Sequence, residues 1–327
     1  MPAKELSPIE VYKILPGTNC KECGENNCMA FAAKLVNREA VLQKCPPLLK
    51  PKFTVAHNKL WVLLKPAVQA VQVGTGDKAV TVGGEYVLYR HEFTYFNLPP
   101  IAIDVSDEMS NEEFEARIKI ADEFEFEYIG MKLTLDMVAV RSTSNDPKKF
   151  EAAVKKASEL TDMPLLLCSH NPVVMEYALS SVGNRKPLIY AATKENWKEM
   201  ADLAIMYNCP IVASAPFDLN SLKGIARTLT EYGVENIVLD PGTQGDEGIS
   251  RTLDNFTVLR WNAINEEEEY LGYPLLGTPI VAWTAKAEDP LINEWNEAML
   301  ASALIARYAD ILIVHSVSGW ALLPFVF

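Results

Sequence analysis

The chain has 327 residues, of which 49% are hydrophobic and 22% charged, and its net charge at pH 7 is −13. This length suits one large domain or two ordinary ones, and the composition excludes a disordered acidic polymer. The acidic balance argues against a nucleic-acid-binding protein, because contacts to phosphates need a basic surface.

The sequence also predicts a protein that neither crosses nor enters a membrane. It contains no run of about 18 apolar residues, and its first residues lack the apolar core of a signal peptide. We therefore expect a cytoplasmic location, where clustered cysteines bind metal more often than they form disulfides.

Four of the six cysteines lie within a short N-terminal stretch, at positions 20, 23, 28 and 45. Residues 1–52 also hold eight Lys or Arg and five Glu, so this segment is basic within an acidic chain. A basic segment that is rich in cysteine suits an anionic cofactor.

The spacing of these cysteines is Cys20-x2-Cys23-x4-Cys28-x16-Cys45. Gly24 favours a chain that folds back after Cys23, and residues 29–43 are predicted to form a helix that ends before Pro46. A zinc site usually has two paired-ligand turns, whereas only the first two cysteines are paired here. Iron–sulfur clusters accept such uneven spacing, so the pattern favours a [4Fe-4S] cluster, with a four-cysteine zinc site as the alternative.

The same stretch resembles a known family. The sequence SPIEVYKILPGTNCKECGENNCMAFAAKLVNREAVLQKCPPLL is similar to the N-terminal iron–sulfur domain of the large (gamma) subunit of the corrinoid iron–sulfur protein. That protein belongs to the acetyl-CoA decarbonylase/synthase system, also called the CO dehydrogenase/acetyl-CoA synthase system. The resemblance rests on the cysteine spacing, the LP-x-x-NC lead-in, the C-x-AFA after Cys28 and the Cys-Pro close. It implies that Cys20, Cys23, Cys28 and Cys45 are the cluster ligands.

Residues 68–96 are short alternating runs separated by glycines, which predict two or more antiparallel strands. We expect these hairpins to cap one end of the domain that follows. The charged triplet Arg90-His91-Glu92 lies in the last run, and a structural role is the simpler interpretation of it.

From residue 100 onward, short apolar runs alternate with helical segments, as expected for parallel strands that are buried on both faces. Eight such units predict a (β/α)8 TIM-type barrel, with a doubly wound open sheet as the alternative. The predicted strands are 101–105, 137–142, 165–170, 188–193, 211–216, 237–242, 280–285 and 311–316.

The predicted domains are therefore a [4Fe-4S] domain at 1–52, a linker helix with capping hairpins at 53–99, and the barrel at 100–327. The eighth barrel helix looks truncated, because few residues follow the last strand. The family resemblance extends through the barrel and implies a C-terminal corrinoid-binding domain beyond residue 327, which would hold the cobamide.

Catalytic residues of barrels lie at the C-terminal ends of the strands. The polar residues predicted there are Asp104, Arg141, Ser169, His170, Thr193, Asp240, Thr284, His315 and Ser316. A proton-transfer site could be built from His170, Asp240 and His315, but any barrel has polar residues at these ends. Asp240-Pro241-Gly242 is similar to a motif of pterin-binding barrels, and the simpler interpretation is a good loop sequence.

The resemblance implies a function. A corrinoid iron–sulfur protein carries a methyl group from a methyl-tetrahydropterin, a folate or a sarcinapterin, through corrinoid cobalt to acetyl-CoA synthase. Its cluster returns Co(II) to Co(I), and its partners are a small (delta) subunit in a heterodimer and the acetyl-CoA synthase and CO dehydrogenase subunits. The protein would thus be a methyltransferase component, with no catalytic residues in this chain alone. The alternatives are a pterin-binding barrel methyltransferase with a structural cluster, and a four-cysteine zinc module fused to a barrel.

Overall fold

The structure is a computed structural model, and it describes residues 6–37, 39–85, 88, 97–284 and 289–326. The chain divides into two compact units, Met1–Pro66 and Ala67–Phe327. The third predicted hairpin run and the triplet Arg90-His91-Glu92 lie outside the described residues. Within the described ranges, no helix combines the length and the apolar character that a bilayer crossing needs.

The first unit consists of three helices and several 3₁₀ turns around one apolar core. The helices are α1 (Pro8–Ile14), α2 (Cys28–Val36) and α3 (Thr54–Leu64). Leu60 and Leu64 of α3 are buried in the same cluster as Phe31 and Leu35 of α2. This shared core places α3 within the compact unit that ends at residue 66.

The predicted helix at 29–43 was too long. Helix α2 ends at Val36, and the amides of Glu39 and Ala40 both donate to the carbonyl of Lys34, which turns the chain off the helix axis. A separate 3₁₀ turn, Leu42–Lys44, then leads to Cys45. Leu42 is buried, as its apolar character predicts, but it reaches the core from this turn.

Among its described residues, the second unit contains twelve strands, most of them short. They are β1 (Ala70–Val73), β2 (Val80–Gly83), β3 (Ile101–Ser106), β4 (Glu125–Tyr128), β5 (Met131–Thr134), β6 (Met137–Arg141), β7 (Leu165–Cys168), β8 (Leu188–Ala192), β9 (Ile211–Ser214), β10 (Ile237–Asp240), β11 (Leu276–Gly277) and β12 (Ile311–Val314). Eight of them form one parallel sheet in the order β10-β9-β8-β7-β6-β3-β12-β11.

The parallel sheet closes on itself and forms the predicted barrel. The amide of Leu239 in β10 donates to the carbonyl of Pro274 at 2.8 Å, and Leu239 pairs in parallel with Leu275 beside β11. The two edge strands of the sheet are therefore joined, which removes the open edges that the doubly wound alternative would have.

Helices follow the barrel strands as the sequence predicts. They are α4 (Asn111–Glu123), α5 (Pro147–Leu160), α6 (Pro172–Val182), α7 (Trp197–Tyr207), α8 (Leu219–Tyr232), α9 (Ile249–Asn265), α10 (Pro290–Ala306) and α11 (Gly319–Val326). Polar residues cap several of these helices: the side chains of Ser110, Asp146, Asn171 and Asp289 each accept a backbone N–H in the first turn. In α11, Phe325 is buried.

The seventh strand was predicted at the wrong place. The strand is Leu276–Gly277, and residues 279–283 form a 3₁₀ helix that begins at Pro279. Proline has no N–H to donate to a sheet ladder and has a fixed φ, so it ends the strand early. Gly277 lets the barrel close tightly there, because a Cβ would lie 2.8 Å from Cδ2 of Leu312.

The hairpin of β1 and β2 caps the N-terminal end of the barrel. Val71, Val73 and Val82 are buried in one cluster with residues of the barrel strands. Backbone bonds attach the hairpin to the loops at this end, from Gly74 N–H to Lys186 O and from Gln69 N–H to Gly272 O. The cap predicted from the sequence therefore lies opposite the end where barrel chemistry occurs.

A second hairpin was not predicted. Strands β4 and β5 pair in antiparallel fashion between α4 and β6, joined by Ile129 and Gly130, which both have positive φ. The alternation of Phe and Glu in residues 124–127 was the available signal for a strand.

Gly83 should be far more sensitive to substitution than Gly224. In Gly83→Ala the Cβ would lie 2.5 Å from Gln69 O and 2.6 Å from Pro274 Cγ, at a φ of +76° that disfavours side chains. We expect a loss of at least about 2 kcal/mol in the free energy of unfolding. Gly224 lies within α8, and nothing is within 4 Å of the position that a Cβ would take there, so Gly224→Ala should gain up to about 1 kcal/mol. Urea denaturation measures both, and similar effects would contradict this account of the cap.

Candidate functional site

Three of the four N-terminal cysteines lie in or against the core of the first unit. Cys28, at the start of α2, and Cys45 are buried members of that core, and Cys23 packs against it. Cys20 is exposed. The set therefore runs from an apolar interior to solvent.

Electrostatic influence connects the four thiols. Burial raises the pKa of the Cys45 thiol, a hydrogen bond with the Leu48 backbone lowers it, and the charges of Cys23, Cys20 and Cys28 raise it again. Among the described residues, no three Cys, His, Asp or Glu side chains are grouped so as to hold a metal ion.

The loop that carries Cys20 and Cys23 is held by Asn19. The Asn19 side chain accepts the Cys28 N–H at 2.8 Å, and the Asn19 N–H donates to Cys28 Sγ at 3.4 Å. The backbone is left-handed at Asn19, Lys21 and Gly24, and the Gly24 N–H closes a turn onto Lys21 O at 3.0 Å. Gly24 thus has the turn role that the sequence predicts.

The donor set fits an iron–sulfur cluster. Such clusters are held by Cys thiolates, and N–H bonds to their sulfurs tune the reduction potential. Here three of the four thiols lie in or against one small core, and Cys28 already accepts an N–H. The role of Asn19 was not predicted, although the residue stands within the LP-x-x-NC lead-in.

Asp104 organises the C-terminal end of the barrel. Its Oδ2 accepts from Arg141 Nε at 2.7 Å, and its Oδ1 accepts from Arg117 Nη2 at 3.0 Å. Nδ1 of His315 lies 2.6 Å from the same Oδ1. The carboxylate itself is fully buried. One charge thus holds residues from β3, α4, β6 and the loop after β12.

The ionised form of Asp104 is favoured in the fold. Burial on its own raises the pKa of this carboxyl, but the hydrogen bond and charge of His315 and the charges of Arg141 and Arg117 outweigh it. The net effect is a lowered pKa, so Asp104 is a carboxylate at neutral pH.

The sequence suggested a proton-transfer site built from His170, Asp240 and His315, but His315 does not belong to it. His315 pairs with Asp104, whereas the His170 ring lies 5.6 Å from the ring of Tyr190. Asp240 accepts from Tyr190 Oη at 2.7 Å, from Ser214 Oγ at 3.0 Å and from the Gly242 N–H at 2.9 Å. Burial raises the pKa of Asp240, and these hydrogen bonds only partly oppose that effect.

The remaining candidates have local structural contacts. Ser169 Oγ accepts the Asn171 N–H, and Thr193 bonds the Asn196 side chain. The Ser316 N–H and hydroxyl both donate to Glu297. Thr284 was predicted at a strand end, but it is an exposed residue at the end of the 3₁₀ helix Pro279–Trp283.

Two buried charges at this end were missed. Arg117 and Glu297 both stand on the apolar faces of helices, α4 and α10, and both are buried. A charged residue at a core-facing position of an amphipathic helix is rarely buried without a partner, and this was the available signal.

The two other cysteines are protonated thiols. Burial raises the pKa of both Cys168 and Cys209 to about 12. Both therefore act as apolar packing residues rather than as ligands.

Two family models match the chain. The model described as "CO dehydrogenase/acetyl-CoA synthase delta subunit" matches residues 70–327, and the model described as "Putative Fe-S cluster" matches residues 15–47. The first match covers the barrel and its cap, and the second contains all four N-terminal cysteines.

Curated relatives match both regions together. The acetyl-CoA decarbonylase/synthase complex subunit gamma 2 of Methanosarcina thermophila is 46% identical over 320 residues, which are 97% of this chain and 68% of the relative. Subunit gamma of Methanocaldococcus jannaschii is 39% identical over 334 residues, with 98% and 68% covered. The barrel model thus has the name of a delta subunit, whereas the relatives that also contain the cysteine segment are gamma subunits.

Solved structures show the same barrel fold. Dihydropteroate synthase (FolP) from Thermus thermophilus superimposes with a TM-score of 0.52 at 17% identity, covering 75% of this chain and 94% of that chain. A complex of the enzyme from the same organism with 6HMPPP gives a TM-score of 0.53 at 16% identity, covering 78% and 98%. At these identities the likeness shows the fold alone.

Replacing Asp104 should strongly destabilise the barrel. In Asp104→Asn the buried guanidinium of Arg117 loses its counter-charge, and we expect a loss of about 3–5 kcal/mol in the free energy of unfolding. Because the pKa of Asp104 is lower in the folded chain than in the unfolded one, its ionisation stabilises the fold above about pH 4. That stabilisation is lost as the pH falls through the folded pKa. The difference between wild type and variant should shrink accordingly.

A surface pair provides the control. Lys119 Nζ and Glu123 Oε1 are 3.9 Å apart and both side chains are largely exposed, so Glu123→Gln should change stability by less than about 0.5 kcal/mol. Urea denaturation at several pH values tests both variants. An effect of Asp104→Asn as small as that of the control would refute the central role of this carboxylate.

Proposed function

This chain belongs to the family of gamma subunits of the acetyl-CoA decarbonylase/synthase complex, and we propose that its N-terminal unit holds a [4Fe-4S] cluster through Cys20, Cys23, Cys28 and Cys45. The observation that carries the proposal is the four-cysteine segment itself, which the iron–sulfur family model matches over residues 15–47. The uneven spacing favours a cluster over a zinc site.

The surroundings of the cysteines suit electron transfer. Cys28 and Cys45 lie on the apolar core, while Cys20 is exposed and Cys23 partly so. A cluster held there would have a buried side, which limits access of water, and an open side, which a redox partner could approach. Burial and hydrogen bonds to sulfur are the means by which a protein sets a cluster potential.

Asn19 has a positioning role in this proposal. Its two bonds to Cys28 fix the start of the loop relative to α2, so that the thiols before and after the turn keep their spacing. The same N–H would remain directed at the Cys28 sulfur when that sulfur binds iron. Such a bond stabilises the more negative, reduced state of a cluster.

The corrinoid is the second cofactor of the proposal. In the corrinoid iron–sulfur protein that this chain resembles, a cluster of this kind supplies the single electrons that return the cobalt of the corrinoid from Co(II) to Co(I). The methyl group moves from a methyl-tetrahydropterin, a folate or a sarcinapterin, to the cobamide and then to acetyl-CoA synthase. The chain would thus be the part of a methyltransferase component that supplies electrons and provides the scaffold.

The partners follow from membership of the complex. Being a gamma subunit of this family, the chain assembles with other subunits of the acetyl-CoA decarbonylase/synthase complex. We propose the small (delta) subunit as its heterodimer partner, and the acetyl-CoA synthase and CO dehydrogenase subunits as further partners. The barrel model named for the delta subunit indicates that the two proposed partners share a barrel fold.

Serine variants test the cluster. Protein purified without oxygen should be brown and contain about four iron and four sulfide ions per chain, with little zinc. Cys45→Ser and Cys28→Ser should each lose most of the iron, whereas Cys209→Ser, the matched control in the barrel, should keep it. A colourless wild-type protein that contains zinc would overturn the proposal.

The electron-transfer role has a separate test in the assembled complex with its corrinoid. A cysteine variant should lose reductive reactivation of Co(II) by at least about tenfold, while methyl transfer from corrinoid that was already reduced to Co(I) stays unchanged. Rapid-mixing absorbance of the corrinoid follows both steps. Equal loss of both would contradict a role limited to supplying electrons.

A further inference from the structure

The barrel contains three buried aspartates that bond to several partners, and two of them are sealed from solvent. Asp310 bonds to Arg260, and both side chains are only 2% exposed. Asp240 is surrounded by Tyr190, Ser214 and the Gly242 amide, which use both of its oxygens. The hydrogen bonds of both groups are made within the barrel itself, and they are explained by fold stability.

The group around Asp104 differs because two of its partners reach solvent. The side chain of Arg141 is 34% exposed and that of His315 is 24% exposed, while Asp104 is fully buried. Arg141 ends β6 and His315 directly follows β12, the two strands on either side of β3. A buried anion therefore orients two exposed polar groups, which is how binding sites are preorganised.

The exposed edges of these two side chains have hydrogen-bonding capacity left. Arg141 uses Nε and Nη2 on Asp104, and among the described residues nothing accepts from its other N–H groups. Because the Asp104 carboxylate can only accept, Nδ1 of His315 carries the hydrogen between them. The other ring nitrogen of His315, Nε2, makes no hydrogen bond with the part of the chain that the structure describes.

Other groups hold this arrangement in place without competing for it. The edge of the Trp283 ring lies against the His315 ring, with centroids 4.5 Å apart, and Glu297 accepts the His315 N–H. The nearby carboxylate of Asp107 accepts from Ser142, Thr143 and Ser144, and so remains occupied by its own loop. The orientation of the imidazole is therefore fixed from three sides.

We propose that Arg141 and His315 form a binding site for the phosphate group of a small molecule at the mouth of the barrel. A guanidinium matches the oxygens of phosphate. A hydrogen phosphate has both a hydroxyl and acceptor oxygens, so it can bond Nε2 whether that nitrogen accepts or donates, whereas a carboxylate at neutral pH can only accept. The site is independent of the cysteine cluster, so each can fail without the other.

Phosphate binding to the full chain tests the site, with inorganic phosphate as the probe. Equilibrium dialysis with labelled phosphate should show saturable binding to one site at the mouth, and Nε2 of His315 should shift in nitrogen NMR spectra of histidine-labelled protein. Arg141→Gln and His315→Asn should each weaken binding at least about tenfold. Asparagine can still donate to Asp104 in place of Nδ1 but lacks Nε2, which isolates the role of that atom.

Two controls and one competitor make the result decisive. Arg227→Gln removes an exposed arginine that pairs with Glu231 on α8, and His57→Asn removes a histidine of the other unit; both variants should bind phosphate as the wild type does. Acetate should bind at least about tenfold more weakly than phosphate. Arg141→Lys, which keeps the charge beside Asp104, covers the case in which the glutamine variant unfolds, and it should also weaken binding.

The site is refuted by any of three results. Wild-type protein with no saturable phosphate binding would remove it. Unchanged affinity in folded Arg141→Lys and His315→Asn would place binding elsewhere. Acetate that binds as tightly as phosphate would show that the site does not select a phosphate group.

Discussion

The burial of one negative charge, that of Asp104, is the interaction on which the functional end of the barrel depends. A carboxylate inside protein is costly unless cations and hydrogen bonds compensate it. Arg117 supplies a buried cation from helix α4, Arg141 supplies another from strand β6, and His315 contributes from the loop after β12. The requirement to neutralise this charge therefore fixes the relative positions of four separate elements.

The N-terminal unit and the barrel support different kinds of chemistry. The N-terminal unit gathers soft sulfur atoms around a small apolar core, an arrangement suited to iron and single electrons. The barrel gathers hard oxygen and nitrogen groups at one end, where ionic contacts and proton positions matter. A subunit of a multi-step complex can thus contain two different kinds of site within one polypeptide.

Much of this could be predicted from the sequence, because parallel barrels are built from local patterns. Seven of the eight barrel strands and the helix caps at Ser110, Asp146, Asn171 and Asp289 follow from periodicity and capping chemistry. The seventh strand was misplaced because a two-residue strand has too few residues to show a period. Its neighbour, the apolar run after Pro279, resembled a strand more closely than the strand itself.

The two candidate sites also differ in how far the sequence could predict them. The cysteine positions were visible as a spacing, since ligands that are close in sequence keep their order in a loop. The partnership of Asp104 with His315 was not visible, because the two residues are far apart in sequence and meet only when the ring closes. The sequence could name both as strand-end residues, but it paired His315 with Asp240. Only the sheet order, with β12 beside β3, decides between the two carboxylates.

The hairpin at the closed end of the barrel has a consequence for how the chain is made. Its apolar residues Val71, Val73 and Val82 are synthesised before any of the barrel strands that cover them. Gly83 meets Pro274 only after roughly 200 further residues have left the ribosome. During translation the apolar face of this hairpin therefore stays uncovered. The nascent chain is most open to aggregation, and most in need of a chaperone, before its last strands emerge.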